Sequence, residues 1–280
     1  MNTVKALVLT GYGLNCDYET HYSLQRAGAE PHRVHMNRLI GSAPSGAKVR
    51  LEDYHILVLG GGFSWADDHG AGVLMAAKLR NHLGEEILRF IADGRLVIGI
   101  CNGFQALVNL GLLPAFDANY HERRVALISN DRGNFIDTWV RLRVDPDSPC
   151  VFTRGIDAIE MPVRHGEGKF YAIGEDLERL RENHQIVLHY SGPDGRPADG
   201  RWPLNPNGSL MDIAGICDPT GRVFGLMPHP EAFNHWTNHP RWTRLKEERL
   251  RRGETACPNP DGDGIRLFAN AVAYIHEAFG

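Results

Sequence analysis

Three short runs constrain the fold most: Val4 to Leu9, Ile56 to Leu59 and Leu96 to Ile100. Almost every residue in them is apolar, and each stops at a glycine or at a glycine-flanked turn. A strand that is apolar at successive positions is buried on both faces, the condition of a parallel sheet covered by helices. Helical segments lie between the runs. Asp17 to Ala27 is stopped by Gly28, two stretches cover Val73 to Arg80 and Glu85 to Ala92, and Asn102 to Leu110 is stopped by Gly111 and Pro114. His32 to Met36 supplies a further strand. This alternation predicts a parallel, doubly wound α/β sheet.

The second half reads differently. Val125 to Ser129, Thr138 to Val144, Ile159 to Val163, Ile186 to Tyr190, Ile213 to Cys217 and Val223 to Met227 are short strand candidates joined by turns, which predicts an antiparallel extension leading back to the main sheet. Asp194 to Gly208 is rich in Gly, Pro and Asn and reads as a surface loop. With no repeat and no low-complexity linker, one domain over residues 1–280 is expected. Residues 238–263 would form a polar insertion and 264–280 a closing helix.

The chain has the 42% hydrophobic content of a protein with a sizeable core. Thirty-four acidic against thirty basic residues leave a net charge of −4, which gives no electrostatic reason to expect nucleic acid or an anionic membrane. The five cysteines are scattered, odd in number and form no Cys-x-x-Cys pair. That pattern points to a reducing compartment rather than a disulfide framework. No leader-like segment opens the chain and no apolar run is long enough to cross a bilayer, so a cytoplasmic protein is expected.

Cys101 holds the most informative position. It falls between a strand and a helix, with Gly99 two residues before it and Gly103 two after. This is the cysteine counterpart of the G-x-S-x-G nucleophile elbow. A sharp turn exposes the sulfur, small flanking residues let strand and helix approach, and the helix N-terminus favours a negatively charged sulfur. Near the end of the chain, His229 and Glu231 follow the apolar run Val223 to Met227, with Pro228 and Pro230 holding the backbone extended. Residues two apart on an extended chain share a side. Glu231 can therefore fix the tautomer of His229 and leave its other nitrogen for Cys101, the logic of a nucleophile–base–carboxylate triad.

Gly60-Gly61-Gly62 follows a buried strand. A backbone N–H from Gly62, with that of Asn102 after the nucleophile, would form an oxyanion hole. A metal site built from His229, His235 and His239 is disfavoured, because the spacing and the intervening Trp236 and Pro240 do not suit a ligand set. No metal is expected.

These residues carry a resemblance. Cys101-Asn-Gly-Phe-Gln105 with His229-Pro-Glu231 resembles the class I (triad) glutamine amidotransferases. More narrowly, Gly61-Gly-Phe-Ser-Trp-Ala-Asp67, Gly111-Leu-Leu-Pro114, His165-Gly-Glu-Gly168, Asn205-Pro-Asn-Gly-Ser209 and Ile213-Ala-Gly-Ile216 resemble the glutaminase subunits or domains of phosphoribosylformylglycinamidine synthase. The resemblance implies a flavodoxin-like, doubly wound, mostly parallel sheet with an antiparallel extension. It implies hydrolysis of glutamine with Cys101 as nucleophile, His229 as base and acid and Glu231 as orienter, and Gln105 helping to hold the substrate. The ammonia would serve ATP-dependent conversion of formylglycinamide ribonucleotide to its amidine. No cofactor is expected on this chain, since ATP and Mg belong to the synthetase partner subunit. Loops after residues 120 and 231 are the expected interface with that partner. Trp65 and Ala66 depart from the Tyr and Gly common in this family, and the stretch from Ala232 to Asp263 is longer and more polar than usual. The competing expectations are an amidotransferase for another acceptor, a cysteine-elbow hydrolase that uses no glutamine, and a non-catalytic module on the same fold.

Overall fold

The computed structural model describes residues 3–257 and 259–280. Met1 and Asn2, at the start of the segment read for a leader, and Pro258, in the polar stretch, lie outside the described residues.

The three apolar runs become β1 (Lys5–Thr10), β3 (Ile56–Leu59) and β4 (Leu96–Ile100), with almost every residue buried. With β2 (Glu30–His35) and β11 (Val223–Leu226) they form the parallel half of a nine-stranded sheet, in the order β2-β1-β3-β4-β11. Helices α1 (Asp17–Arg26), α3 (Val73–Ala92) and α4 (Asn102–Leu110) connect these strands. This is the doubly wound order with its crevice at the carboxyl ends of the strands. Two boundaries differ from the sequence reading. Met36 opens a short helix, α2 (Met36–Leu39), instead of closing β2. The two stretches expected around Gly84 are one helix, α3, because a single glycine in a helix of 20 residues costs only about 1 kcal/mol against a face that buries Leu79, Leu83, Ile87 and Phe90.

The other half of the sheet is antiparallel: β10 (Ile213–Cys217), β9 (Ile186–Ser191), β6 (Ile136–Val144) and β7 (Ala158–His165) continue outward from β11. This wing curls. Its edge strand β7 returns to the centre, where the Pro162 carbonyl accepts from the His229 backbone N–H at 2.8 Å. A separate pair, β5 (Val125–Ile128) with β8 (Lys169–Ala172), and helix α5 (Gly174–Glu182) complete this side. The sequence reading passed over β8 and α5; α5 is largely polar and buries only Asp176 and Leu180.

The polar stretch after residue 231 contains α6 (Trp242–Arg251), which has no buried residue. It is tied down at its start, where His239 bonds Glu160 at 2.7 Å and Arg241 pairs with the same carboxylate. The last helix, α7 (Ile265–Phe279), turns Ile265, Phe268, Val272 and Ile275 inward at helical spacing.

Candidate active site

The register of β4 against β11 sets the site. Gly99 pairs with Gly225 and Ile100 with Leu226, so the two strands end side by side. Cys101 follows one and His229 follows the other. At the turn, Cys101 adopts φ 51° and ψ −106°, strained for a residue with a Cβ. Its N–H donates to the Leu226 carbonyl at 2.8 Å and its carbonyl accepts from Gln105 N–H at 3.1 Å, so strand pairing and helix start together hold the turn. The glycines are required by contact: a Cβ on Gly103 would run into the Leu59 carbonyl, and one on Gly99 would press on the Gly103 carbonyl at 2.6 Å.

His229 and Glu231 are 2% and 1% exposed. The Nδ1 of His229 meets Glu231 Oε1 at 2.5 Å. Burial alone pushes the imidazole toward neutrality, but the charges of Glu231 and Cys101 and a contact from Cys16 outweigh it, and His229 is held well above the usual histidine range. Nε2 has no partner at hydrogen-bonding distance among the described residues. Catalytic hydrogen bonds are commonly long until substrate draws the groups together. The Cys101 thiol instead points to the Arg164 carbonyl at 3.6 Å.

Gly62, at φ 142°, faces Leu14 in an isolated bridge. The flanking bonds, Asn15 N–H to Gly61 O and Phe63 N–H to Gly13 O, turn the Gly62 N–H away from that segment. Asn102 is fully buried and its side chain ties the glycine loop to the elbow. Its Oδ1 accepts from Ser64 N–H at 3.2 Å, and its Nδ2 donates to Asp67 at 2.8 Å and to Gln105 Oε1 at 3.2 Å. Gln105 then donates to the Glu167 carbonyl at 2.5 Å. Both ends of the Gln105 amide are thus engaged by the protein, and it holds the segment Arg164–Gly168 against α4. Burial raises Asp67 above the usual carboxylate range; the Asn102 bond offsets part of that and the nearby Glu167 charge adds to it.

Three contributors were not singled out as site residues from the sequence. The His165-Gly-Glu-Gly168 and Asn205-Pro-Asn-Gly-Ser209 stretches meet here. His165 contacts Asn130 at 3.2 Å and Asn207 at 3.5 Å, while Asn207 also donates to the Gly168 carbonyl at 2.8 Å and to the Tyr190 hydroxyl at 3.2 Å. Burial, with the charge of His229 behind it, pushes His165 down to about 3, so it serves as a neutral strut. Glu167 reaches Ala71 N–H at 3.4 Å. Cys16, in the loop after β1, comes within 3.9 Å of His229 Nδ1. The usable signal was positional, because loops at the carboxyl ends of parallel strands line the crevice. The three histidines weighed for a metal go separate ways: His229 to Glu231, His235 to Thr237 and His239 to Glu160.

A cysteine on a glycine-flanked turn and a buried His–Glu pair thus stand at the ends of neighbouring strands, at the carboxyl edge of a doubly wound sheet. The chain belongs to the CobB/CobQ-like glutamine amidotransferase domain family, which it matches over residues 3–275. It is similar to phosphoribosylformylglycinamidine synthase subunit PurQ of Methanococcus maripaludis (strain S2), at 44% identity over 98% of each chain. The subunit of the same name from Dehalococcoides mccartyi is 44% identical over 99% of this chain and 100% of its own. Among solved structures, a chain of PurLQS from Thermotoga maritima aligns with a TM-score of 0.68 at 28% identity, covering 98% of this chain and all of that one.

Proposed function

We propose that this chain is the glutaminase component of phosphoribosylformylglycinamidine synthase, supplying ammonia to a synthetase partner for conversion of formylglycinamide ribonucleotide to its amidine. The observation that carries the reading is the buried His229–Glu231 pair at the end of β11, in register with the strained turn of Cys101 at the end of β4. The relatives above, alike over nearly the whole length, bear the name of that enzyme's subunit.

In this reading the Cys101 sulfur adds to the side-chain carboxamide carbon of glutamine. The oxygen of the tetrahedral adduct takes hydrogen bonds from the backbone N–H groups of Gly62 and Asn102, each worth roughly 3–4 kcal/mol of transition-state stabilisation. His229 gives a proton to the departing nitrogen, which leaves as ammonia. Water, deprotonated by His229, then attacks the glutamyl thioester, releasing glutamate and restoring the thiol. Glu231 orients the ring. Gln105 acts on the substrate through the Glu167 segment that it holds. The whole chain serves as one domain, with the stretch from 238 to 263 as a polar insertion.

ATP and Mg are assigned to the synthetase partner. That partner caps the site so that ammonia passes on without reaching bulk water. The compartment in this reading is a reducing cytoplasm, which the five unpaired cysteines support. No helix of the described residues is long and apolar enough to cross a membrane.

Cys101→Ala, assayed in the reconstituted complex, tests the reading. Glutamine-dependent synthesis falls by about 10⁴-fold or more, while synthesis from free ammonia continues. Undiminished glutamine hydrolysis in that variant removes the nucleophile assignment.

A further inference from the structure

The imidazole of the proposed triad has a second sulfur beside it. Cys16 Sγ lies 3.9 Å from His229 Nδ1, and one donor atom from each of Cys16, His229 and Glu231 falls within 4.8 Å of the others. The approach depends on Gly61. A Cβ there would press on His229 Cε1 at 2.8 Å and on Cys16 Sγ at 3.1 Å, while the Gly61 carbonyl holds the Cys16 loop by accepting from Asn15 and Cys16 N–H at 3.3 and 3.4 Å. The reaction proposed above makes no use of this thiol.

A further observation points to a ligand. Glu231 Oε2 is buried and has no hydrogen-bond partner among the described residues. Orienting the ring occupies only Oε1. A buried carboxylate oxygen with no donor keeps its desolvation cost uncompensated. The geometry points to an inhibitory site for a zinc-class divalent cation, formed by Cys16 Sγ, His229 and Glu231 at the bottom of the glutamine crevice.

The donor set selects the class of ion. Thiolate, imidazole and carboxylate are zinc ligands, whereas magnesium and calcium take oxygen alone. In a tetrahedral zinc site the sulfur and nitrogen ligands stand about 3.5 Å apart, close to the 3.9 Å between Cys16 Sγ and His229 Nδ1. Nδ1 and Oε1 are hydrogen-bonded to each other, so the ion enters by displacing the proton between them to solvent as the carboxylate turns its free oxygen inward. Three protein ligands leave the fourth position to water, as in open zinc sites. Burial keeps the Cys16 thiol protonated, offset by its bond to His229 and reinforced by the Glu231 charge. A dication supplies the positive charge that lets it ionise. Cys16 is half-buried and gives the ion its way in. Once bound, the ion separates His229 from its orienting carboxylate and stops glutamine hydrolysis without touching Cys101. Inhibition rests on the triad reading; ion binding does not.

The test uses the full-length chain with Co²⁺ as spectroscopic probe and Zn²⁺ as inhibitor. Cys101→Ala protein is expected to bind one cobalt with a thiolate-to-cobalt charge-transfer band, and adding Cys16→Ser abolishes the band. Folding of Cys16→Ser and Cys16→Ala is checked by far-UV circular dichroism and Tm, and zinc inhibition of each variant in the reconstituted complex is read against that variant's own metal-free glutaminase rate. Zinc inhibition of these variants is expected to weaken by about tenfold or more. A band that survives loss of Cys16, a band that disappears with Cys101, or no cobalt binding at all overturns the site. Absence of metal-free glutaminase activity in the unaltered complex would instead count against the amidotransferase reading and leave the cobalt result standing.

Discussion

The two halves of the sheet contribute to the site in different ways. In the parallel half, Gly62, Cys101 and His229 each follow the carboxyl end of a strand, and backbone pairing sets their positions: Ile100 against Leu226, Leu59 against Gly99. In the antiparallel wing, Arg164 and Glu167 reach the crevice only because β7 curls back, and buried side chains hold them there: Asn130, His165, Asn207 and Ser209. Backbone register is rigid and suits groups whose spacing sets the rate of bond making. A polar network is adjustable and suits the grip on a substrate. Changes in the parallel half should therefore act on kcat, and changes in the wing on KM.

The largest expected effect breaks the parallel half. Glu231→Gln keeps the shape but removes the main charge that raises His229, and kcat for glutamine hydrolysis is expected to fall on the order of 10³–10⁴-fold with KM little changed. The pH dependence of stability follows from the same pair. A histidine raised in the folded state contributes stability that is fully present below its unfolded value of about 6.5, and loses it as pH rises through the raised value. The Tm gap between the native protein and Glu231→Gln is thus expected to be wider near pH 6 than at alkaline pH. A gap that grows with pH would reverse the assignment. Next in size is Gly103→Ala, whose methyl meets the Leu59 carbonyl. A loss of about 3 kcal/mol in denaturant unfolding is expected, the range of overpacked cores.

The wing is tested by Asn207→Ala. It removes the two-proton amide that donates to the Gly168 carbonyl and the Tyr190 hydroxyl and touches His165, leaving buried polar groups short of a partner. Roughly 2 kcal/mol of stability is expected to go. In the assembled enzyme, KM for glutamine is expected to rise several-fold with kcat nearly intact. An equal fall in kcat and kcat/KM would mean that the wing also aligns the reacting groups, and the division between the halves would not hold.

The same division explains what could be read from the sequence. The buried strands, the cysteine elbow and the His-x-Glu pair are local patterns, and their meeting follows from strand order in a doubly wound sheet. The strand candidates of the second half were visible, but not the curl that returns β7 to the centre, which depends on contacts such as Pro162 with His229, 67 residues apart by subtraction of their numbers. Gln105 was expected to hold glutamine on its position in a motif. Its engagement by Asn102 and Glu167 required the folded wing to be seen. Cys16 gave no pattern of its own, since a half-buried cysteine in a loop is an ordinary feature until a histidine from the far end of the chain is placed beside it.

The smallest expected effect concerns the loop that joins the halves. Trp65, Ala66 and Asp67 have φ of 52°, 56° and 55°, a left-handed run in residues that carry a Cβ. Trp65 gains a stack on Tyr12, with centroids 4.3 Å apart and planes 15° apart, and Asp67 gains the Asn102 bond. Ala66 is exposed and has no such compensation. A left-handed alanine costs about 1–2 kcal/mol, while glycine at the same place would lose roughly 0.4–1 kcal/mol to the greater freedom of the unfolded chain. Ala66→Gly is therefore expected to stabilise the protein by about 0.5 kcal/mol, measured as a shift in denaturation midpoint at constant m-value. Glutamine kinetics should hold steady if Asn102 alone anchors the loop to the elbow. A rise in KM on this substitution would show instead that the strained backbone of Ala66 is part of what presents the wing's Glu167 to Asp67 and the substrate, and the boundary between rigid and adjustable halves would move into this loop.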